Sequence, residues 1–201
     1  KLFRMAFSGH HSRDQQGFSL DGANVIDGFR RLGYRTIGSG AVDWFDPSTE
    51  TGAVLGEPFE RFHFAGNTWS LSKQLEWLTA ELADGADDQP VFVFLNVGET
   101  HVPYWHEGAD WPCRPSPCIA FGGDRCDAQE SARRQRACLE WVDTQLDSLL
   151  KRFSESTVLI CADHGDCWGE DGLWEHGISH PATLTVPLLM QLRGEPIAQS
   201  A

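Results

Sequence analysis

The sequence predicts an α/β fold: a doubly wound, mostly parallel sheet with helices on both faces. Three observations carry that reading. Two continuous apolar runs, VFVFLNV at residues 91–97 and TVLICA at residues 157–162, are short and rich in β-branched or aromatic residues, as strands covered on both faces are. Segments with apolar residues at helical spacing alternate with them. Each run also ends in a polar cluster, and open α/β sheets bind ligands beyond the carboxyl ends of their strands.

The elements follow in chain order. Residues 24–32 read as a short helix stopped by Gly33, and residues 34–39 as a strand entering a glycine-rich turn. Ser70 reads as an N-cap, followed by Leu71, Leu75, Leu78 and Leu82 on one helical stripe, which Asp84-Gly85 closes. The strand 91–97 comes next. Residues 104–127 are rich in Trp, Pro, Gly and Cys, show no period, and read as an irregular insertion over the active face. Residues 128–153 form the longest helix, with Leu139, Val142, Leu146, Leu149 and Leu150 on its buried side. Strands at 157–162 and 186–192 complete the pattern. Strand, helix, strand alternation over 201 residues fits a single domain, residues 1–201, with a substantial core.

Composition narrows the partners. Hydrophobic residues make up 41% and charged residues 22%, an ordinary globular balance. A net charge of -13 makes nucleic acid and anionic lipid poor partners. An anionic substrate would need local positive charge, most simply a metal, to overcome that field. No apolar run reaches the roughly 18 residues of a spanning helix. The chain opens on Lys1 without an initiator Met, so a targeting segment could lie upstream; the compartment stays unknown, with the cytoplasm slightly favoured.

Six cysteines occur without a CxxC pair, which argues against a structural zinc site. Cys113 and Cys118 are spaced to staple a loop by a disulfide, Cys126 lies nearby, and Cys161 reads as an inert core thiol. Cys167 reads as structural.

The chemistry concentrates after the two apolar runs. Asp163 and His164 follow a strand directly, and Gly165 lets the backbone turn sharply. A carboxylate and an imidazole side by side can both ligate one divalent cation. Upstream, VFVFLNV leads to Gly98-Glu99-Thr100-His101, so both clusters are expected in one crevice.

The run Asp163-His164-Gly165-Asp166-Cys167-Trp168-Gly169-Glu170-Asp171-Gly172-Leu173-Trp174-Glu175-His176-Gly177 is followed by Val186-Pro187-Leu188-Leu189. It resembles the signature of the alkaline phosphatase/sulfatase superfamily, especially the sulfatases and the phosphoethanolamine and lipoteichoic acid transferases: S-D-H-G-E, then G-E-x-G-L-(W/Y)-x-(H/K)-G, then a V-P-L strand. Asp166 stands where the family usually has Glu. Gly98-Glu99-Thr100-His101-Val102-Pro103-Tyr104 resembles the family's (D/E)-T-H-x-P-Y turn. Residues 25–38 resemble its L-x-x-x-G-Y-x-T-x-x-x-G helix and strand, and Phe7-Ser8-Gly9-His10-His11 its T-G-x-x-P segment.

The resemblance implies an alkaline phosphatase-like fold and a metal-dependent hydrolase or transferase of phosphate, phosphonate or sulfate esters. It implies metal ligands at Asp163 and His164, with His180 as a further candidate, because its spacing resembles a second-metal His of cofactor-independent phosphoglycerate mutases. Those enzymes carry an Asp where Val97 stands here. His101 and His176 are implied as catalytic and substrate-contacting residues. Glu99 is expected as a substrate-side carboxylate orienting His101, or as a solvated turn residue. His164 favours zinc or manganese over the oxygen-preferring calcium or magnesium, which stay open. Trp168 and Trp174 are expected as wall packing. Counting back from Gly9 places the family's nucleophile (Cys, Ser or Thr) and at least one metal-binding carboxylate upstream of residue 1, on a segment or second chain completing the site. The expected partner is a small anionic ester. Two alternatives stand beside this one: a metal-dependent phosphoryl mutase or transferase, and a degenerate domain that binds an anion or partner without catalysis.

Overall fold

The computed structural model describes residues 2–4, 16–18, 24–84 and 89–196. The segment Phe7–His11 of the sequence reading and Gly85 lie outside the described residues. The fold is α/β, with strands and helices alternating along the chain. The chain divides into two compact units, Lys1–Gly98 and Glu99–Ala201.

In the first unit, β1 (Leu2–Arg4) and β2 (Gln16–Phe18) form an antiparallel pair. Helix α1 (Val25–Arg31) begins where the sequence places it. The Asn24 side chain accepts from the Asp27 amide in a capping box, and Gly33 at φ 84 turns the chain away. Strand β3 (Arg35–Gly40) is the middle of a three-stranded parallel sheet, with β4 (Arg61–Phe64) on one side and β5 (Val91–Leu95) on the other. Helix α2 (Glu50–Gly56) joins β3 to β4.

The glycines of β3 explain the aromatic composition around it. A Cβ on Gly40 would lie 2.3 Å from the Phe45 ring, and one on Gly38 would lie 2.7 Å from Phe62. Phe45, Phe59, Phe62, Phe92 and Phe94 gather on this bare strand, with ring centroids of 5.2–6.4 Å between neighbours.

Helix α3 (Leu71–Ala83) buries Leu71, Leu78 and Leu82. Leu75 is only half-buried, and Gln74 takes a buried place beside it, donating to Ser39 Oγ and to the Asn96 carbonyl, each at 3.0 Å. Ser70 stands at the N-cap without a capping bond from its side chain. Strand β5 ends at Leu95 and is half-buried along its length, shorter and more open than the doubly covered strand expected at 91–97.

In the second unit, helix α4 (Ala128–Arg152) runs the expected length, but its buried face differs from the expected leucine stripe. Leu139 is exposed, while Ser131, Arg134, Cys138 and Val142 are buried. The polar residues are buried because they hold the irregular segment 104–127. Arg134 donates to the carbonyls of Pro112 (3.2 Å) and Pro115 (3.4 Å), and Ser131 donates to that of Pro117 at 3.1 Å. Buried carbonyls need such partners. Tyr104, Trp111, Cys118 and Cys138 form the core this segment builds with α4.

Strand β6 (Val158–Cys161) pairs antiparallel with β9 (Leu188–Leu192), which pairs antiparallel with β10 (Glu195–Pro196). Here the expectation of a buried strand at 157–162 is corrected. Leu159 is 61% exposed, and Cys161 is an exposed thiol, not a core one. An apolar run records what a strand can bury, and this one stands open. All six cysteines are free, so the Cys113–Cys118 staple does not form; Cys118 Sγ instead faces the Cys167 carbonyl at 3.6 Å. Between β6 and β9 lie the hairpin β7 (Cys167–Trp168) and β8 (Trp174–Glu175) and the short helix α5 (Pro181–Leu184).

A three-histidine cluster as the candidate functional site

Three turns of the second unit each deliver one imidazole to a common point. His101 lies in the turn that opens the unit, His164 follows β6, and His176 follows β8. One ring nitrogen from each lies within 4.8 Å of the other two. Ring centroids are 4.1 Å apart for His164 and His176, 4.8 Å for His101 and His176, and 5.8 Å for His101 and His164.

Hydrogen bonds fix which nitrogen of each ring carries the proton. Nδ1 of His101 lies 2.8 Å from the Val102 carbonyl, Nδ1 of His164 lies 3.0 Å from the Gly165 carbonyl, and Nδ1 of His176 lies 2.7 Å from Asp166 Oδ1. Each oxygen only accepts, so each Nδ1 carries the proton. In the neutral rings Nε2 is left with its lone pair. Metal-binding histidines commonly donate their other nitrogen to an oxygen in this way. The residues present therefore fit a divalent cation of the imidazole-accepting kind.

Behind His176 stands a buried relay. Asp166 has a side chain only 3% exposed. Its Oδ2 accepts from Tyr104 Oη at 2.8 Å, and Tyr104 Oη accepts from Trp168 Nε1 at 2.9 Å. Burial opposes ionisation of Asp166 most strongly, yet hydrogen bonds from His176 and Tyr104 hold its carboxyl below the usual range. The bond to Asp166 also raises His176 above the ordinary imidazole value, against the effect of burial. Burial pushes the Tyr104 phenol far up, so it remains a donor. Tyr104 itself sits at φ 57, a left-handed conformation that costs a non-glycine residue energy and that this bonding holds in place.

The remaining sequence candidates are placed as follows. Asp163 stands at the rim, its side chain 86% exposed; its Oδ1 accepts from the His164 amide at 3.0 Å and lies 3.8 Å from His164 Nε2. Glu99 is corrected. It is a buried carboxylate at 1% exposure. Its charge contributes, after burial, to pushing the Cys138 thiol up to about 12. His180 lies outside the three-histidine group. Its Nδ1 accepts from the Ala182 amide at 3.1 Å and faces Cys167 Sγ at 3.2 Å, and its Nε2 lies 3.4 Å from Asp171. Trp168 and Trp174 pack against the core, as wall residues do. The sequence reading missed the orienting role of Asp166, treating it as a departure from Glu; its place directly after Asp163-His164-Gly165, at the mouth of a strand, was the available signal.

Comparison with known proteins identifies the family and the fold. The Sulfatase family model matches residues 3–198. No curated protein matches the sequence. The structure resembles the C-terminal periplasmic domain of EcEptC from Escherichia coli in complex with Zn, at TM-score 0.63 and 13% identity, covering 88% of this chain and 54% of that one. It also resembles the soluble domain of lipooligosaccharide phosphoethanolamine transferase A from Neisseria meningitidis (TM-score 0.58, 15% identity, 84% and 54% covered). A third likeness is to the lipoteichoic acid synthase LtaP from Listeria monocytogenes (TM-score 0.53, 13% identity, 83% and 45% covered). The chain thus spans about half the length of the structures it matches. With its family model matched almost end to end, the chain belongs to the Sulfatase family.

Proposed function

We propose that this chain carries the metal- and anion-binding half of an active site that hydrolyses or transfers phosphate, phosphonate or sulfate esters. The observation that supports it is the convergence of His101, His164 and His176, each with Nδ1–H donated to an oxygen and Nε2 left with its lone pair. In this reading His164 and Asp163 hold a divalent cation, zinc or manganese by the chemistry of an imidazole donor. When bound, it supplies Lewis-acid stabilisation of charge on an ester oxygen and lowers the pKa of a coordinated nucleophile. His101 and His176 face the same point and receive the anionic oxygens of the ester, with Asp166 fixing the tautomer and orientation of His176. The zinc complex of the EcEptC domain supports the choice of metal. A small anionic ester is the substrate class, since a protein of net charge -13 attracts no anion without such a centre.

The test is elemental analysis and turnover of p-nitrophenyl phosphate, phenylphosphonate and sulfate esters in the full-length protein. Replacing Asp163 and His164 together by Ala should remove the bound metal. His101→Ala should retain it and lower turnover by about 100-fold or more. Unchanged metal content in the double variant, or metal loss in His101→Ala, would overturn the assignment.

A further inference from the structure

His180 makes more contacts than a loop histidine requires, and none of them is with the three-histidine cluster. The Ala182 amide can only donate, so at 3.1 Å it makes His180 Nδ1 an acceptor. Cys167 Sγ, 3.2 Å from the same nitrogen, must then be the S–H donor. The imidazole proton is left on Nε2, which faces Asp171 Oδ2 at 3.4 Å. Nδ1 is thus occupied, and the ring caps α5.

Thr183 completes the cap. It is 4% exposed, and its Oγ1 accepts from the His180 amide at 3.4 Å. Its hydroxyl proton is shared between the carbonyls of Ile178, at 2.8 Å, and His180, at 2.9 Å. The Ile178 bond ties down the loop that leaves His176. The Thr183 carbonyl accepts from the Gly165 amide at 3.0 Å, which ties down the turn that carries His164. The fit is close: a Cβ on Gly165 would meet the Ala182 carbonyl oxygen at 2.1 Å. Cys167 lies one residue beyond Asp166, the carboxylate bonded to His176.

We infer that His180 is a positioning residue: as the cap of α5 it holds the Gly165 turn and the Ile178 loop in register, so that His164 and His176 meet. This rests on the proposed function for its catalytic consequence, but not for its geometry. A histidine used as a metal ligand must turn a lone pair to the ion, whereas here the only lone pair is taken by the Ala182 amide and the Cys167 thiol.

The experiment is nitrogen NMR of the histidine rings in the full-length protein, stripped of metal and then titrated with zinc alone. His180 should show an unprotonated Nδ1 and a protonated Nε2 throughout, while signals of His101, His164 and His176 move. In parallel, His180→Ala should lose about tenfold in zinc affinity and in kcat, with KM much less affected. His180→Asn, which restores a capping oxygen for the Ala182 amide, should recover most of that loss. Zinc-dependent shifts at the His180 nitrogens, no recovery in His180→Asn, or zinc affinity and kcat both unchanged in His180→Ala would each overturn the inference. If the protein turns over none of the three esters, the proposed function fails, and the NMR and zinc measurements still decide the role of His180.

Discussion

Asp166 Oδ1 lies 2.7 Å from His176 Nδ1, and the carboxylate is almost completely buried while the imidazole it holds reaches the site. A buried carboxylate with an imidazole on one oxygen and a phenol on the other is committed in direction. Asp166→Asn keeps the shape and removes the charge. It should lower zinc affinity or kcat/KM by about 10- to 100-fold, the usual cost of losing a group that orients a site histidine. Competition with a zinc chelator and steady-state kinetics check this, and no change in either would mean that His176 is held by something else.

Tyr104→Phe tests the outer end of the same relay. The phenol donates to Asp166 and accepts from Trp168 Nε1, so its removal leaves one indole N–H without its acceptor and one carboxylate oxygen without its donor. A cost of about 1–3 kcal/mol is expected, read as a lower urea midpoint with unchanged slope. A variant as stable as the parent would show that water replaces the phenol without penalty.

Glu130 gives the fold an acid-sensitive joint. It bonds Arg133 and Arg134, each at 2.7 Å, and these bonds hold its carboxyl down at about 2. Because the folded value is depressed, the stabilisation is present above the unfolded value near 4.5 and is lost as pH falls toward 2. Glu130→Gln should therefore be less stable than the parent at pH 6 and nearly equal to it at pH 2. The pairs are partly solvated, so the difference should stay near or below about 1 kcal/mol per pair. Denaturant titrations across that range would show it, and a gap that persists at pH 2 would assign it to packing instead.

Gly165→Ala should fail for steric reasons. Its new methyl would run into the backbone carbonyl of Ala182, an atom that cannot rotate away. A stability loss of about 1–3 kcal/mol is expected, with weaker zinc binding as the His164 turn is pushed off α5. Thermal melts and zinc titration test both parts, and an unaltered melting temperature would show that α5 yields freely.

Much of the backbone was legible in the sequence, because propensity and capping are local. Asn24, Asp27 and Gly33 mark α1 almost to the residue, and α4 begins where it was read. What each element buries was less legible. Leu139 is exposed and Arg134 buried on α4 because the irregular segment offers carbonyls rather than methyl groups, and no hydrophobic period records a carbonyl. The apolar run of β6 marked a strand correctly and its cover wrongly, since composition speaks only for one side of a contact. At the site, motif spacing singled out His101, His164 and His176. The hydrogen-bond partners behind His176 were not visible: Asp166 looked like a substitution and Tyr104 like the end of a turn.

The way segment 104–127 hangs from α4 has a practical consequence. Arg134 and Ser131 grip it through the main-chain oxygens of residues 112, 115 and 117, and Tyr104, Trp111 and Cys118 anchor it through their side chains. Between those anchors its exposed positions carry no part of the grip. Randomising the exposed positions Ala120, Phe121, Asp124 and Arg125 would build a library of recognition surfaces on an unaltered frame, a starting point for directed evolution of ligand choice.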